Sequence, residues 1–561
     1  MPRFVGVKGT AQHSESGSGG PIWDLFSAPQ GTNQTDLGRL SFRSATALRE
    51  GGIGGGRTTA LDPQRPVAGT GSGHSNSDKL TFAVARALAL KSIARRTPGC
   101  YVNCCIHVNF TLPLAFVTLL SLFTSTMAQA PAGFPDGPIP AALVAKVNAS
   151  VDANAAGLTA IFKDLHQHPE IAFTEKRTAA IVAKDLRALG FTVTDGIGKT
   201  GVVGVLKNGP GPTVWFRADM DSNSVRETTG LPYAATAKQR LADGSEIDVM
   251  HACGHDAHVT WLIGLAKTMV ALKADWSGTL VVYAQPAEEV GLGAQAMVDD
   301  RLWERGFPKP DLAFGVHTAP GPVGVIASSP GVRMAGTDQL DITFNGVGGH
   351  GSAPEMTIDP VVMAAQAVLA YQTIISRNLD PQASAVLSVG AIVAGRDNNV
   401  IPETAVLKLN LRWFTPEVRE QMLKRIDEID NGIAVAAGVS ADKMPTRQMK
   451  GGAGPVINDK ALVRRINPSL EELLGAGKVI DQFPAVMGSE DFQVALKPLN
   501  TPYAYLLVGV APPDLFAEAR AAGKLFPYSN HNPDFFVDLA AIPVGAKVEA
   551  VMALSILANN P

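Results

Sequence analysis

Charge is sparse in this sequence, and none of it is gathered into runs. Only 18% of the 561 residues are charged, and the formal net charge is −3. The lack of a long basic or acidic tract argues against a nucleic-acid partner and against an electrostatic membrane anchor. No apolar run reaches the roughly 20 residues that span a bilayer as a helix. There is no internal repeat. Cysteine is rare, with four in the chain. Three of these, Cys100, Cys104 and Cys105, precede the apolar run at 111–123, so a chain cut after that run keeps Cys253 alone. One cysteine cannot close an intramolecular disulfide. A lone thiol in an oxidising compartment is a liability unless it is buried or bound to something.

What is present is the composition of a soluble globular protein, 46% hydrophobic, in a chain too long for one ordinary domain. Residues 1–90 read as a disordered extension, most plainly from Met1 to Ser77, where SESGSGG and EGGIGGGRTTA carry no helical or strand period. Residues 91–130 have the parts of a secretory signal peptide. Lys91, Arg95 and Arg96 precede the apolar TLPLAFVTLLSLF, and TMAQA follows with small residues at Ala128 and Ala130. Cleavage is expected after Ala130, giving a secreted or periplasmic protein. The alternative is an uncleaved anchor. Such leaders begin near the initiator Met, so the extension points to a start assigned too far upstream, although no other Met lies between Met1 and Met127.

Beyond the leader, residues 141–334 alternate helical and strand patterns. RTAAIVAKDLRALGF reads as an amphipathic helix, TVWFRAD, GTLVVYAQ and DLAFGVH as buried strands, and AHVTWLIGLAKTMVALKA as a helix. This order predicts an α/β fold with a mainly parallel sheet. Residues 335–450 read differently, as three strands and two long helices in a compact α+β unit. KGGAGP then acts as a joint, and residues 456–561 return to strand–helix alternation and complete the first domain.

Side chains able to hold a metal follow the strands. Asp219 and Asp221 come after TVWFRA, Glu288 and Glu289 after GTLVVYAQP, and His317 after LAFGV, while Cys253 and His255 precede a helix. Ligands of open α/β sheets bind outside the carboxyl ends of the strands, so these groups are expected on one rim. HACGHDAH packs His251, Cys253, His255, Asp256 and His258 together. Three of the eight histidines after the leader lie in this segment, and thiolate, imidazole and carboxylate are zinc-type donors. The bland alternative is a polar loop of scattered histidines. In QPAEE one carboxylate can bind metal while its neighbour stays free as a general base; elsewhere Glu-Glu is commonly a solvated surface pair. His317, His350 and His531 sit in Gly/Pro/Asn-rich, turn-like settings, where a ligand can approach the backbone.

The segments DLHQHPEIAFTE, FRADMD, MHACGHDAH, QPAEE, GVH, GGHGSAP, NNVIPET, MGSEDF and HNPDFFVD occur in the order and spacing of a known family. From about Ala141 to its end the chain resembles the aminoacylase and glutamate-carboxypeptidase-like metallopeptidases. The matching branch holds the hippurate and indole-acetyl-amino-acid hydrolases, and CGH, with cysteine where other branches carry aspartate, is its mark. The resemblance implies a di-metal catalytic domain interrupted by a ferredoxin-like lid and dimerisation domain. It implies that Cys253, His255, Glu289, His317 and His531 bind two divalent ions, with Cys253 bridging. Zinc or manganese is expected, with nickel and cobalt as further candidates. Glu288 would be the general base. His350, reaching a neighbouring subunit of a homodimer, would stabilise the oxyanion, and Asn399 would help to hold the carboxylate of an N-acyl amino acid. The other readings are a secreted dipeptidase or carboxypeptidase of the same fold, and a non-catalytic binding relative. Two departures leave the acyl preference open: MDSNSVRE stands where the family has MDALPVQE, and Glu355 stands where a histidine is common.

Overall fold

Helices cover both faces of the sheet that the alternating pattern predicts. The computed structural model describes residues 137–241 and 243–559. The extension (1–90) and the leader (91–130) lie outside the described residues. The elements that place the site are α1 (Ala141–Gln167), α2 (Lys176–Ala188), β1 (Thr192–Ile197), β2 (Gly201–Asn208), β3 (Thr213–Asp219), α3 (His255–Ala271), β4 (Gly278–Gln285), β5 (Leu312–Pro322) and β6 (Ile326–Ala327). After the inserted unit come α6 (Lys460–Leu474), β11 (Val479–Ile480), β12 (Tyr503–Ala511) and α7 (Ala541–Leu557).

The sheet runs β1-β2-β4-β3-β5-β12-β6-β11. Its centre, β4-β3-β5-β12, is parallel, as predicted. The outer pairs β1/β2, β2/β4 and β12/β6 are antiparallel. Successive residues of β3 feed opposite cores. Phe216 packs with α1, α3 and α7, and Trp215 packs with Tyr283, Phe492 and Tyr505. Burial on both faces explains why the central strands read as continuous apolar runs. Helix α3 is buried almost all round and crosses α7 closely: a Cβ on Gly545 would stand 2.2 Å from the Trp261 ring. Each fully buried Trp, Leu or Phe here is worth about 1.5–3 kcal/mol.

The inserted unit is β7 (Gly336–Asn345), α4 (Pro360–Thr373), β8 (Ala385–Ala394), β9 (Thr404–Trp413), α5 (Pro416–Ala436) and β10 (Thr446–Ala453). Its sheet is antiparallel in the order β8-β9-β7-β10. This is the ferredoxin-like βαββαβ arrangement. Asp359 and Thr415 cap the helices by accepting the N–H groups of Val361 and Val418, each with proline at the first helical position. Phe344, Tyr371, Leu407 and Ile426 form a core separate from that of the large sheet. The fourth strand, β10, runs through Gly451 and Gly452 of the stretch read as a joint. Pairing with β7 overrides the loop preference of glycine there. None of the described helices is long and apolar enough to cross a membrane.

Candidate metal centre

Adjacent carboxylates point apart on a strand, so Glu288 and Glu289 can share a cleft only if the chain turns after β4. It does so through Pro286 and Ala287, the latter at φ 52°. Asp221 fixes the turn, its Oδ1 accepting the N–H of Glu288 and its Oδ2 that of Glu289, both at 3.0 Å. The Ala287 N–H donates to the buried Glu175 at 2.9 Å. Cys253 and His255 are placed by Gly254, whose φ of 82° starts α3. A Cβ there would meet the Thr318 side chain at 2.7 Å, so the residue between the two candidate ligands has to be glycine.

The thiol is the hub. The donor atoms of Cys253, His255 and His317 lie within 4.8 Å of one another, and so do those of Cys253, Glu289 and His531. Five candidate ligands thus form two triads that share one sulfur. Cys253 Sγ is 3.4 Å from His317 Nε2, and His531 Nε2 is 3.3 Å from Glu289 Oε2. His317 Nδ1 donates to the Thr318 carbonyl at 2.6 Å, which leaves Nε2 facing the sulfur. His531, at φ 66°, is pinned by its N–H donating to the Ala252 carbonyl at 2.8 Å.

Both ring nitrogens of His255 and the Oε1 of Glu289 are buried without a hydrogen-bond partner among the described residues. Such groups are rare unless something else satisfies them. With the Cys253 thiol and the imidazoles of His317 and His531 alongside, they fit divalent cations of the zinc type. His251 is likewise buried with both ring nitrogens unpartnered among the described residues, but it belongs to neither triad. Asp219, Asp221 and His258 are already committed. His258 Nδ1 faces Asp219, and its Nε2 accepts the Thr318 N–H at 2.8 Å. Asp219 also binds Arg217 at 2.7 Å, while Asp221 holds the Glu288–Glu289 turn.

Electrostatics favour the ligand forms of Cys253 and Glu289 and oppose those of the imidazoles. Burial and Glu289 oppose ionisation of Cys253, but the charge and hydrogen bond of His317, with His255 beside the sulfur, prevail and pull the thiol down to about 5. Burial raises Glu289 too, but His531, His255 and Asn223 outweigh it and hold the carboxyl at about 2. Glu288 stays well above the carboxylate range, through burial first, then Glu490 and Glu289. Burial lowers His317, but Cys253 and Asp219 raise it to about 9. Cys253 and Glu289 raise His531 to about 10. Burial lowers His255 likewise, but Asp219, Asp221 and Cys253 raise it well above the ordinary imidazole range. In the metal-free protein at pH 7 all three imidazoles therefore carry a proton that a cation must displace. Metal uptake at pH 7 is expected to release roughly three protons per chain, and affinity to climb as pH rises through about 9 and about 10, where His317 and His531 lose theirs. Calorimetry in buffers of different ionisation enthalpy reads this directly, and uptake without proton release contradicts it.

His350 and Asn399 are not brought to this cluster. They lie together on the inserted unit, where Gly349–His350 pairs with Val400–Ile401 and the Gly351 N–H donates to the Asn399 carbonyl at 2.8 Å. His350 is exposed, with Nδ1 2.7 Å from Ser352 Oγ. Glu355 and Ser224 are exposed as well.

The sequence reading missed two features. One is the buried network in which Arg217 binds Asp219 and Glu490, each at 2.7 Å, with Tyr505 donating to Glu490. An arginine inside an apolar strand was the available signal, since such a charge is buried only when paired. The other is Arg412 on β9. This half-buried guanidinium lies in the field of Glu288, donates to Ser489 and to Asn410, and makes no ion pair among the described residues.

The fold and the site define a metal-dependent hydrolase of amide bonds. The chain belongs to peptidase family M20/M25/M40, whose model matches residues 215–555. It is 39% identical over 345 residues to a hippurate hydrolase of Campylobacter jejuni, covering 61% of this chain and 85% of that one. It is 32% identical over 398 residues to an IAA-amino acid hydrolase of Arabidopsis thaliana, covering 71% and 84%. Among solved structures, the YXEP protein of Bacillus subtilis, a dinuclear metal-binding peptidase of family M20, superposes with a TM-score of 0.57 at 27% identity, covering 72% and 99%.

Proposed function

We propose that this chain hydrolyses N-acyl amino acids or similar small amides, with two divalent ions held by Cys253, His255, Glu289, His317 and His531. The observation that carries this is the pair of triads sharing one thiol, with Glu288 beside them and 11% exposed. The relatives named for hippurate and for IAA-amino acids point to the same substrate class. Bound ions of this kind acidify water and polarise a carbonyl. Glu288 takes the proton of the attacking water and returns it to the departing amine. Arg412, a half-buried cation without a carboxylate partner among the described residues, is suited to the substrate carboxylate, together with Asn399. Zinc or manganese suits the donor set, with nickel and cobalt as further candidates. Export with cleavage after Ala130 belongs to the proposal on the sequence of residues 91–130 alone.

A panel of hippurate, acetyl-amino acids and dipeptides, run with each metal added back, tests the substrate class. Turnover of the N-acyl compounds is expected to lead. A clear preference for dipeptides replaces the proposal with the peptidase reading.

The proposal includes a homodimer in which His350 serves the neighbouring copy. The exposed apolar side chains of the inserted unit support it. Leu369 on α4 is 74% exposed, and Ile392 and Val393 on β8, which ends the four-stranded sheet, are 54% exposed. Unpaired sheet edges and exposed apolar patches of this kind seek partners. Ile392→Lys with Leu369→Glu is expected to give monomers by light scattering that still bind metal. Turnover should fall roughly 10²–10³-fold, the usual effect of losing one oxyanion donor. Fully active monomers contradict the assignment.

A further inference from the structure

Behind the turn that presents Cys253 and His255 lies a second buried constellation, whose side chains make no hydrogen bond to the five candidate ligands among the described residues. His166, in the last turn of α1, packs its ring between Phe162 and Tyr233, with centroids 5.7 and 5.5 Å away. Its Nδ1 is 2.7 Å from Asp256 Oδ2 and its Nε2 is 3.3 Å from Glu227 Oε1. The side chains of His166, Glu227 and Asp256 are 3%, 0% and 1% exposed. A neutral imidazole has one N–H, so a ring that faces ionised carboxylates with both nitrogens carries two. This is an imidazolium between two anions, sealed from water.

Each anion is tied to a different part of the metal centre. Asp256 follows His255, and its Oδ1 takes the Ala257 N–H at 2.9 Å, so it belongs to the turn that presents Cys253 and His255. Glu227 belongs to the segment 222–236, where it also accepts from Thr229 and from the Ala235 N–H at 2.5 Å. That segment begins directly after Asp221, which holds the Glu288–Glu289 turn. It is laced to Met250 by Asn223 through backbone bonds of 2.9 and 3.1 Å, and to the stretch after His531 by the Thr228 N–H on the Pro533 carbonyl at 2.9 Å. One side of His166 therefore anchors the segment that carries Cys253 and His255. The other side anchors the segment that borders Glu289 and His531.

We infer that His166, with Glu227 and Asp256, is a positioning clamp that sets the spacing between the two ligand triads. The inference rests on the two-ion reading above. Cation sites tolerate displacements of only about 0.5 Å in their donors. If the imidazolium is lost, two buried carboxylates face each other unpaired, and the two segments have no reason to keep their separation.

The test uses cobalt(II) as the probe on the full chain, because a cobalt–thiolate band reports the geometry at Cys253 independently of turnover. Two variants are compared with the unaltered protein. His166→Gln removes the charge, and Glu227→Gln removes one anion at constant shape and covers the case in which the first variant does not fold. The expected result is a cobalt affinity at least about tenfold weaker, the usual effect of disturbing groups behind the ligands. The band should shift, and at saturating cobalt the loss should fall on kcat rather than KM. If the variants only melt earlier, with affinity and band unchanged, the clamp is overturned while the two-ion reading stands. If the unaltered protein shows no cobalt–thiolate band, the two-ion reading is overturned and the clamp falls with it.

Discussion

Glu288→Gln is expected to keep both ions and to lose turnover by roughly 10²–10⁴-fold, the usual contribution of a positioned general base. Glu288 borders both triads without belonging to either, with its Oε2 3.9 Å from His255 Nε2. Its backbone is fixed by Asp221 at 3.0 Å, so the amide fills the same place. Burial, then Glu490 and Glu289, hold its proton affinity well above that of an ordinary carboxylate. That is the property needed by a group that must take a proton from water and then give it to an amine. Glutamine keeps the shape and cannot accept the proton. Metal content by mass spectrometry and kcat on an N-acyl amino acid check both halves. Near-normal turnover removes Glu288 from its role, and loss of metal makes it a ligand.

Cys253→Ala is expected to have the largest effect on metal. The sulfur belongs to both triads, so one substitution takes a donor from each ion. Affinity should fall by more than about 100-fold, beyond the range seen for groups behind the ligands. Cys253 also raises His317 and His531. In the alanine variant, metal-free, both imidazoles should titrate lower than about 9 and about 10, which NMR can follow. Cys253→Asp, the donor of the other branches, should recover part of the affinity. An alanine variant that holds two ions as tightly as the parent contradicts the shared-thiol arrangement.

The cluster was legible because metal donors are concentrated in short motifs. HACGHDAH and QPAEE stand out against a background poor in cysteine and histidine. Within a motif, however, spacing does not separate a free donor from a committed one. His255 and His258 lie three residues apart on α3, yet the first has two unpartnered nitrogens and the second spends both on Asp219 and Thr318. Asp219 ends β3 and Asp221 follows it, but whether a carboxylate faces a cation or a backbone amide depends on partners from other strands. Arg412 left no comparable trace, and His166, although inside DLHQHPEIAFTE, carried no sign of its two carboxylate partners. Each is one polar residue in an amphipathic pattern, where a solvated side chain is the usual reading.

By itself the sequence determined the inventory: which donors exist, that they follow strands or begin a helix, and that an α+β unit is inserted after β6. These follow from local periodicity and from the turn preferences of Gly, Pro and Asn, which act over a few residues. The tertiary structure decided that Cys253 stands between His317 and His531, that the Glu288–Glu289 turn is held by Asp221, and that His350 remains apart. Those outcomes depend on the register of parallel strands joined by long crossovers and on helices packed from distant parts of the chain. No local rule carries that information.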